Sequence, residues 1–241
     1  MYSGTGIYSI PEASRLIAVP ARDIRRWLFG YHYRKTPGDA DSRVDIPPLW
    51  TTQLVDEGFD DSVIGFQDLI ELRFIREFMR HGVSLRVVRR CLETAKDLYG
   101  VSHPMTLPKF MTDGRTIYAE AISEEQNAAS MVDLKSKQTV FKDIIKPSLY
   151  SGIIYEGDRA TKWYPTRAGR KSSPVVIDPT RQFGSPILEE TGTPTNVLYA
   201  SYLAEGADQR AQAVTARVYE IPAKFVEAAV RFEESLKRTV H

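Results

Sequence analysis

The chain has 241 residues, 42% of them apolar, enough to bury a substantial core as one large domain or two smaller ones. A formal charge of +1 excludes a uniformly basic or acidic protein, so any charged function must reside in local clusters. Cys91 is the single cysteine, which excludes an intramolecular disulfide and a cysteine-rich zinc site and fits a reducing compartment.

Met1–Gly6 lacks the charged start and apolar run of a signal peptide, and nowhere do about 18 apolar residues follow one another. A soluble, cytoplasmic chain without membrane association is expected. Ser9 and Glu12 stand at capping-box spacing and Ala13, Leu16 and Ile17 recur at helical intervals, which predicts a short helix from Ser9. Pro20 suits the first turn of a second helix, in which Ile24, Trp27 and Leu28 share one face and Arg22, Arg25 and Arg26 point elsewhere. Gly30 is its stop. Tyr31 to Asp61 reads as an irregular connection with a short hairpin. Two helices are then predicted, Phe66–Arg80 and, after His81-Gly82 and a Ser84 cap, Leu85–Tyr99.

Between Val101 and Arg170 the periodicity weakens. Asp113-Gly114 reads as a hairpin turn between Phe110 and Ile117, and Gly152–Tyr155 as a strand. Arg159–Lys171 carries Arg159, Lys162, Arg167, Arg170 and Lys171 with no acid, beside Trp163, Tyr164 and Pro165, and reads as an exposed linker. Beyond Ser173, Val175–Ile177 is a predicted strand, followed by turns to Thr195 and three helical stretches ending in Pro222–Arg238. The expected fold is mainly α with small β elements. It comprises a winged helix-turn-helix domain (1–100), a β-containing middle segment with a basic linker (101–172) and a C-terminal trihelical domain (173–241).

A helix-turn-helix packs its first helix across the second, so that the second presents its outer residues to base edges in the major groove. Ile7–Leu28 has that layout. Arg15 to Lys35 contains six cations against the single acid Asp23, a density suited to phosphate. Arg15, Arg22, Arg25, Arg26, Tyr33, Arg34 and Lys35 are the candidate contacts to a double-stranded DNA operator. The alternative is that the arginines of the second helix only solvate its outer face. Two recognition helices about one turn of DNA apart gain affinity and palindromic specificity, so a homodimer is expected.

Tyr8-Ser9-Ile10-Pro11-Glu12-Ala13, Val19-Pro20 and Asp23-Ile24-Arg25-Arg26-Trp27 resemble the opening of the MerR-type winged helix, and the likeness runs to about Tyr99. It implies a wing within Tyr31–Trp50. Ala18 departs from that pattern, standing where a turn glycine is common. The coiled coil and cysteines that often end such proteins are missing, Cys91 reads as a core or surface thiol, and metal sensing is not expected. The C-terminal part resembles the domain of unknown function 433 through Ile177-Asp178-Pro179, Gly184-Ser185-Pro186-Ile187 and Thr191-Gly192-Thr193-Pro194-Thr195, with Pro194 in place of a common arginine. Members of that group, including longer ones with a similar N-terminal winged helix, look like VapB-type antitoxins encoded beside a PIN-domain, VapC-like ribonuclease toxin. The resemblance therefore implies a DNA-binding antitoxin that neutralises such a toxin and represses its own operon. Lys162, Trp163, Arg167, Arg170 and Lys171 are suited to cover an acidic, metal-holding toxin mouth; a solvated connector is the alternative.

Enzyme signatures are lacking. His32, His81, His103 and His241 have no ligand spacing, and neither a P-loop nor a nucleophile elbow occurs. Adjacent carboxylates such as Asp60-Asp61 and Glu124-Glu125 suit solvated turns or helix faces better than catalysis. No catalytic residues, metal or cofactor are expected. The competing functions are a small-molecule-responsive MerR-like transcription regulator and a protein-interaction adaptor.

Overall fold

A computed structural model of the chain describes residues 4–35, 43–55, 58–59, 63–125, 149–165 and 174–238. The described residues are mainly helical, with a few small sheets, and fall into two compact units. One unit spans the described residues from Ser9 to Leu149; the other is built from residues 4–8 and those from Tyr150 onward.

The first unit opens with α1 (Ile10–Ile17) and α2 (Ala21–Phe29), followed by an antiparallel hairpin of β1 (Tyr31–Arg34) and β2 (Arg43–Ile46). Ser9 caps α1 as expected, its hydroxyl accepting from the Glu12 N–H at 3.3 Å. The apolar stripes of both helices turn inward, with Ile10, Ala13, Leu16, Ile17, Ile24, Trp27 and Leu28 all buried. Each large side chain among them contributes roughly 1.5–3 kcal/mol. Three longer helices complete the unit: α3 (Phe66–Arg80), α4 (Leu85–Tyr99) and α5 (Phe110–Glu125). Helices α3 and α4 have the predicted bounds, and Ser84 caps α4 through the Val87 N–H. Helix α5 replaces the hairpin expected at Asp113-Gly114. Phe110, Ile117, Tyr118, Ala121 and Ile122 are buried at helical spacing, and that packing overrides the turn preference of the dipeptide.

In the second unit, β3 (Ile153–Glu156), β4 (Arg159–Trp163), β5 (Val175–Ile177) and β6 (Pro186–Leu188) form one antiparallel sheet in that order. Its register runs Ile153, Trp163, Ile177, Pro186 across the strands. The sheet therefore crosses the domain boundary expected near residue 172, because strands from both sides of it pair. Three helices follow, α6 (Thr195–Ala204), α7 (Gln209–Val218) and α8 (Ala223–Arg238). Val175, Val176, Ile177, Ile187, Leu188, Leu198, Val226 and Ala229 form their shared core. Gly184, at φ +85°, could not be replaced without collision, since a Cβ there would lie 2.2 Å from the Tyr8 hydroxyl.

A buried polar cluster lies inside the first unit. Asp68 Oδ1 accepts from Trp50 Nε1 and contacts His103 Nε2, both at 2.7 Å, while its Oδ2 accepts from the N–H groups of Gln53 and Gly65, both at 2.9 Å. Glu71 is fully buried beside it; one oxygen accepts from the Met105 N–H at 3.3 Å and the other has no hydrogen-bond partner among the described residues. Burial pushes the Glu71 carboxyl up to about 8. Burial also pulls the His103 imidazole down, but the hydrogen bond and charge of Asp68 hold it above its ordinary value. Folded Glu71 thus keeps a proton that the unfolded chain releases near 4.5, and His103 favours the folded state most fully below 6.5. Both effects make stability fall as pH rises, for Glu71 between about 4.5 and 8 and for His103 from 6.5 upward, by at most ~1.4 kcal/mol per pH unit for each proton. Thermal denaturation should show this slope in the native protein and a shallower one in Glu71→Gln; equal, flat profiles would refute the assignment.

Candidate nucleic-acid interface

Every cation predicted on α1, α2 and the hairpin is solvent-accessible: Arg15, Arg22, Arg25, Arg26, Arg34 and Lys35 are exposed, as is Tyr33. On α2 this follows from spacing alone. Ile24, Trp27 and Leu28 claim the inner face, leaving Arg22, Arg25 and Arg26 on the outer one. Among the described residues Arg22 engages only its neighbour Asp23, at 3.7 Å, with 80% of its side chain exposed. Arg26 lies 4.6 Å from the centre of the Tyr31 ring, and Tyr31 in turn neighbours Tyr33 at 6.4 Å. That cation–π contact orients the Arg26 guanidinium against the hairpin.

The hairpin places residues that sequence reasoning did not single out. Its register pairs Tyr31 with Ile46, His32 with Asp45, Tyr33 with Val44 and Arg34 with Arg43. Side chains directly opposite share a face, so Tyr31, Tyr33, Val44 and Ile46 lie on one side and His32, Arg34, Arg43 and Asp45 on the other. Arg34 and Arg43 thus form a like-charged cross-strand pair, relieved in part by Asp45, which Arg43 Nε meets at 2.9 Å. Only the pairing register brings Arg43 to this site, and the sequence carries no direct signal of that register.

Three contacts hold the hairpin against the helices. The Leu49 N–H donates to the Trp27 carbonyl at 2.8 Å, and Arg89 of α4 donates to the carbonyls of Pro47 and Pro48 at 2.8 and 3.0 Å. At the joint between α2 and β1, a Cβ on Gly30 (φ +73°) would lie 2.5 Å from the Ile46 carbonyl oxygen.

The residues proposed for a toxin contact are placed differently. Arg167, Arg170 and Lys171 lie outside the described residues. Lys162 and Trp163 belong to β4 rather than to an exposed linker. The Trp163 ring is 4% exposed, and Lys162 is half-buried with its Nζ 3.6 Å from the buried carboxylate of Asp178. Ala160 and Trp163 are both buried although three residues apart, and the register shift opposite Ile154 and Tyr155 lets them share a face; a strand with one buried face pairs with its neighbours whatever its charge. Among the described residues, no group of three or more His, Cys, Asp or Glu side chains is arranged to hold a metal, and no helix is long and apolar enough to cross a membrane. Cys91 is buried in α4, and burial pushes its thiol up to about 12, which makes it a poor nucleophile.

The fold is thus that of a two-unit, mainly helical protein with a cationic helix and hairpin on one unit. No family model matches the chain. It is 25% identical over 193 residues, 77% of this chain and 78% of the relative, to a protein of Mycobacterium tuberculosis (strain ATCC 25618 / H37Rv) named "Putative antitoxin VapB45". Its fold is similar to the X-ray crystal structure of Rv2018 from Mycobacterium tuberculosis, with a TM-score of 0.64, 22% identity and coverage of 92% of this chain and 96% of that one.

The turn between α1 and α2 contains Ala18 at φ 52°, ψ 50°, the left-handed region that glycine adopts freely. Ala18→Gly should therefore raise stability by about 0.5–1 kcal/mol, whereas Gly30→Ala should cost ~2 kcal/mol or more. Urea denaturation measures both, and a neutral Gly30→Ala would show that the hairpin joint is not constrained.

Proposed function

We propose that the chain is a DNA-binding antitoxin of a toxin–antitoxin module: α1, α2 and the β1–β2 hairpin act as a winged helix-turn-helix on a duplex operator, and the protein also neutralises a neighbouring PIN-domain ribonuclease. The observation that carries the DNA half is the separation of faces on α2. Three arginines point to solvent from a helix anchored by Ile24, Trp27 and Leu28, and a hairpin with a further arginine pair follows directly. Arginine forks suit guanine edges and phosphates alike. The Arg34–Arg43 pair adds weight, because like charges directly across a hairpin cost stability unless an anion sits between them. The antitoxin half is supported by the name of the relative that is 25% identical to this chain.

In this reading α2 enters the major groove, Arg22, Arg25 and Arg26 face base edges and phosphates, and Arg34, Lys35 and Arg43 of the wing grip the adjacent backbone. A homodimer supplies two such units for a palindromic operator. Fluorescence anisotropy with duplexes from the chain's own promoter region tests this. The Arg25→Ala/Arg26→Ala variant should lose about 1 to 3 kcal/mol for each base-reading arginine, and Arg34→Ala/Arg43→Ala should reduce the salt dependence of binding by about one unit per lost phosphate contact. Unaltered operator affinity in the first variant would remove the recognition-helix assignment.

The toxin half has its own readout. The reading frame beside this gene should encode a small ribonuclease with an acidic site, and co-expression should restore growth. Changing Lys162, Arg167, Arg170 and Lys171 to Ala should weaken toxin inhibition if these cations cover that site; full inhibition by the variant would place the toxin contact elsewhere.

A further inference from the structure

We infer that Tyr31 is a positioning residue, whose ring holds the Arg26 guanidinium at the joint of α2 and the hairpin as a clamp for one phosphate of a DNA backbone. The inference rests on the operator-binding reading above and assigns roles within it. Arg26 Cζ lies 4.6 Å from the centre of the Tyr31 ring. Yet Arg26 is exposed, and among the described residues it makes neither a hydrogen bond nor an ion pair. A cation–π contact fixes where a guanidinium sits without giving its N–H groups an acceptor, so its donors remain for an anion. Arg22 and Arg25, on the same face of α2, are not held in this way. Among the described residues Arg22 meets only Asp23, at 3.7 Å, and Arg25 has no polar partner. An unrestrained arginine loses rotamer freedom when it binds, and one already held loses less.

The ring itself is fixed. Tyr31 follows Gly30, whose φ of +73° and close approach to the Ile46 carbonyl oxygen, 2.5 Å from where a Cβ would stand, set the direction in which β1 leaves α2. Tyr31 pairs with Ile46, and the Leu49 N–H closes the joint on the Trp27 carbonyl at 2.8 Å. The Tyr33 ring flanks it at 6.4 Å. Position within α2 decides the acceptor. Arg26 stands in the last turn, whereas residues near the start of a recognition helix meet the base edges. A guanidinium at the far end of that helix, fixed against the wing, is placed for the backbone at the edge of the groove, and a phosphate accepts the arginine fork as a bidentate partner. Base reading then falls to Arg22 and Arg25, which lie nearer the start.

Fluorescence anisotropy of the full chain, with a duplex from its own promoter region and with a scrambled duplex, gives the test. Tyr31→Leu should weaken binding to both about two- to fivefold, and Tyr31→Phe, which keeps a ring, should bind like the native protein. Added to Arg26→Ala, Tyr31→Leu should cause no further loss, whereas a hairpin merely loosened by the substitution would bind more weakly in that background too. Equal losses on the two duplexes mark a phosphate contact, which carries no sequence information. A loss confined to the promoter duplex would make Arg26 a base reader and overturn the clamp. In the native protein without DNA, the Arg26 Nε–H signal in NMR spectra should be shifted by the ring and more ordered than those of Arg22 and Arg25; equal order in all three would also overturn it. Failure of the native protein to bind either duplex would remove the operator reading and this inference with it. Native binding that Tyr31→Leu leaves unchanged would remove this inference alone.

Discussion

The carboxylate of Asp68 is the constraint on which the first unit depends. It is fully buried near the start of α3, where the unpaired N–H groups of a helix favour negative charge. Burying a charge is costly unless its lone pairs are filled, and here four partners fill them: Trp50, His103, Gln53 and Gly65. These partners come from the segment that leaves the hairpin, from the start of α3 and from the connection between α4 and α5. One side chain therefore ties together three stretches of chain that are far apart in sequence. Losing it would strand several buried donors at once, which is more damaging than the loss of any single hydrogen bond.

The hairpin inherits its position from that anchor. Residues 47 to 50 are gripped in succession: Pro47 and Pro48 by Arg89, Leu49 by the Trp27 carbonyl and Trp50 by Asp68. A two-stranded hairpin is marginally stable by itself. Held at its base in this way, β1–β2 keeps the Tyr31 ring under the Arg26 guanidinium.

The helices of this unit were legible because their signals are local. Apolar spacing and the caps at Ser9 and Ser84 located α1, α3 and α4, and Ile24, Trp27 and Leu28 oriented α2. What the sequence concealed depends on partners distant along the chain. Asp113-Gly114 reads as a turn until the burial of Ile117 and Tyr118 makes it part of α5. Arg159–Trp163 reads as a linker until pairing with Ile153–Glu156 and Ile177 makes it a strand. The same limit applied to the site: exposed arginines on an amphipathic helix follow from its period, whereas the pairing of Arg34 with Arg43 follows only from register.

A formal charge of +1 thus conceals local clusters. In the first unit, exposed cations collect on α2 and the hairpin, where Arg22, Arg25, Arg26, Arg34, Lys35 and Arg43 outnumber the acids Asp23 and Asp45. Mixed charges would cancel at a distance. A local cluster such as that on α2 keeps its field at close range even at near-zero net charge. Helix α4 adds Arg89 to this side of the unit, where its guanidinium is spent on the Pro47 and Pro48 carbonyls and fixes the base of the hairpin.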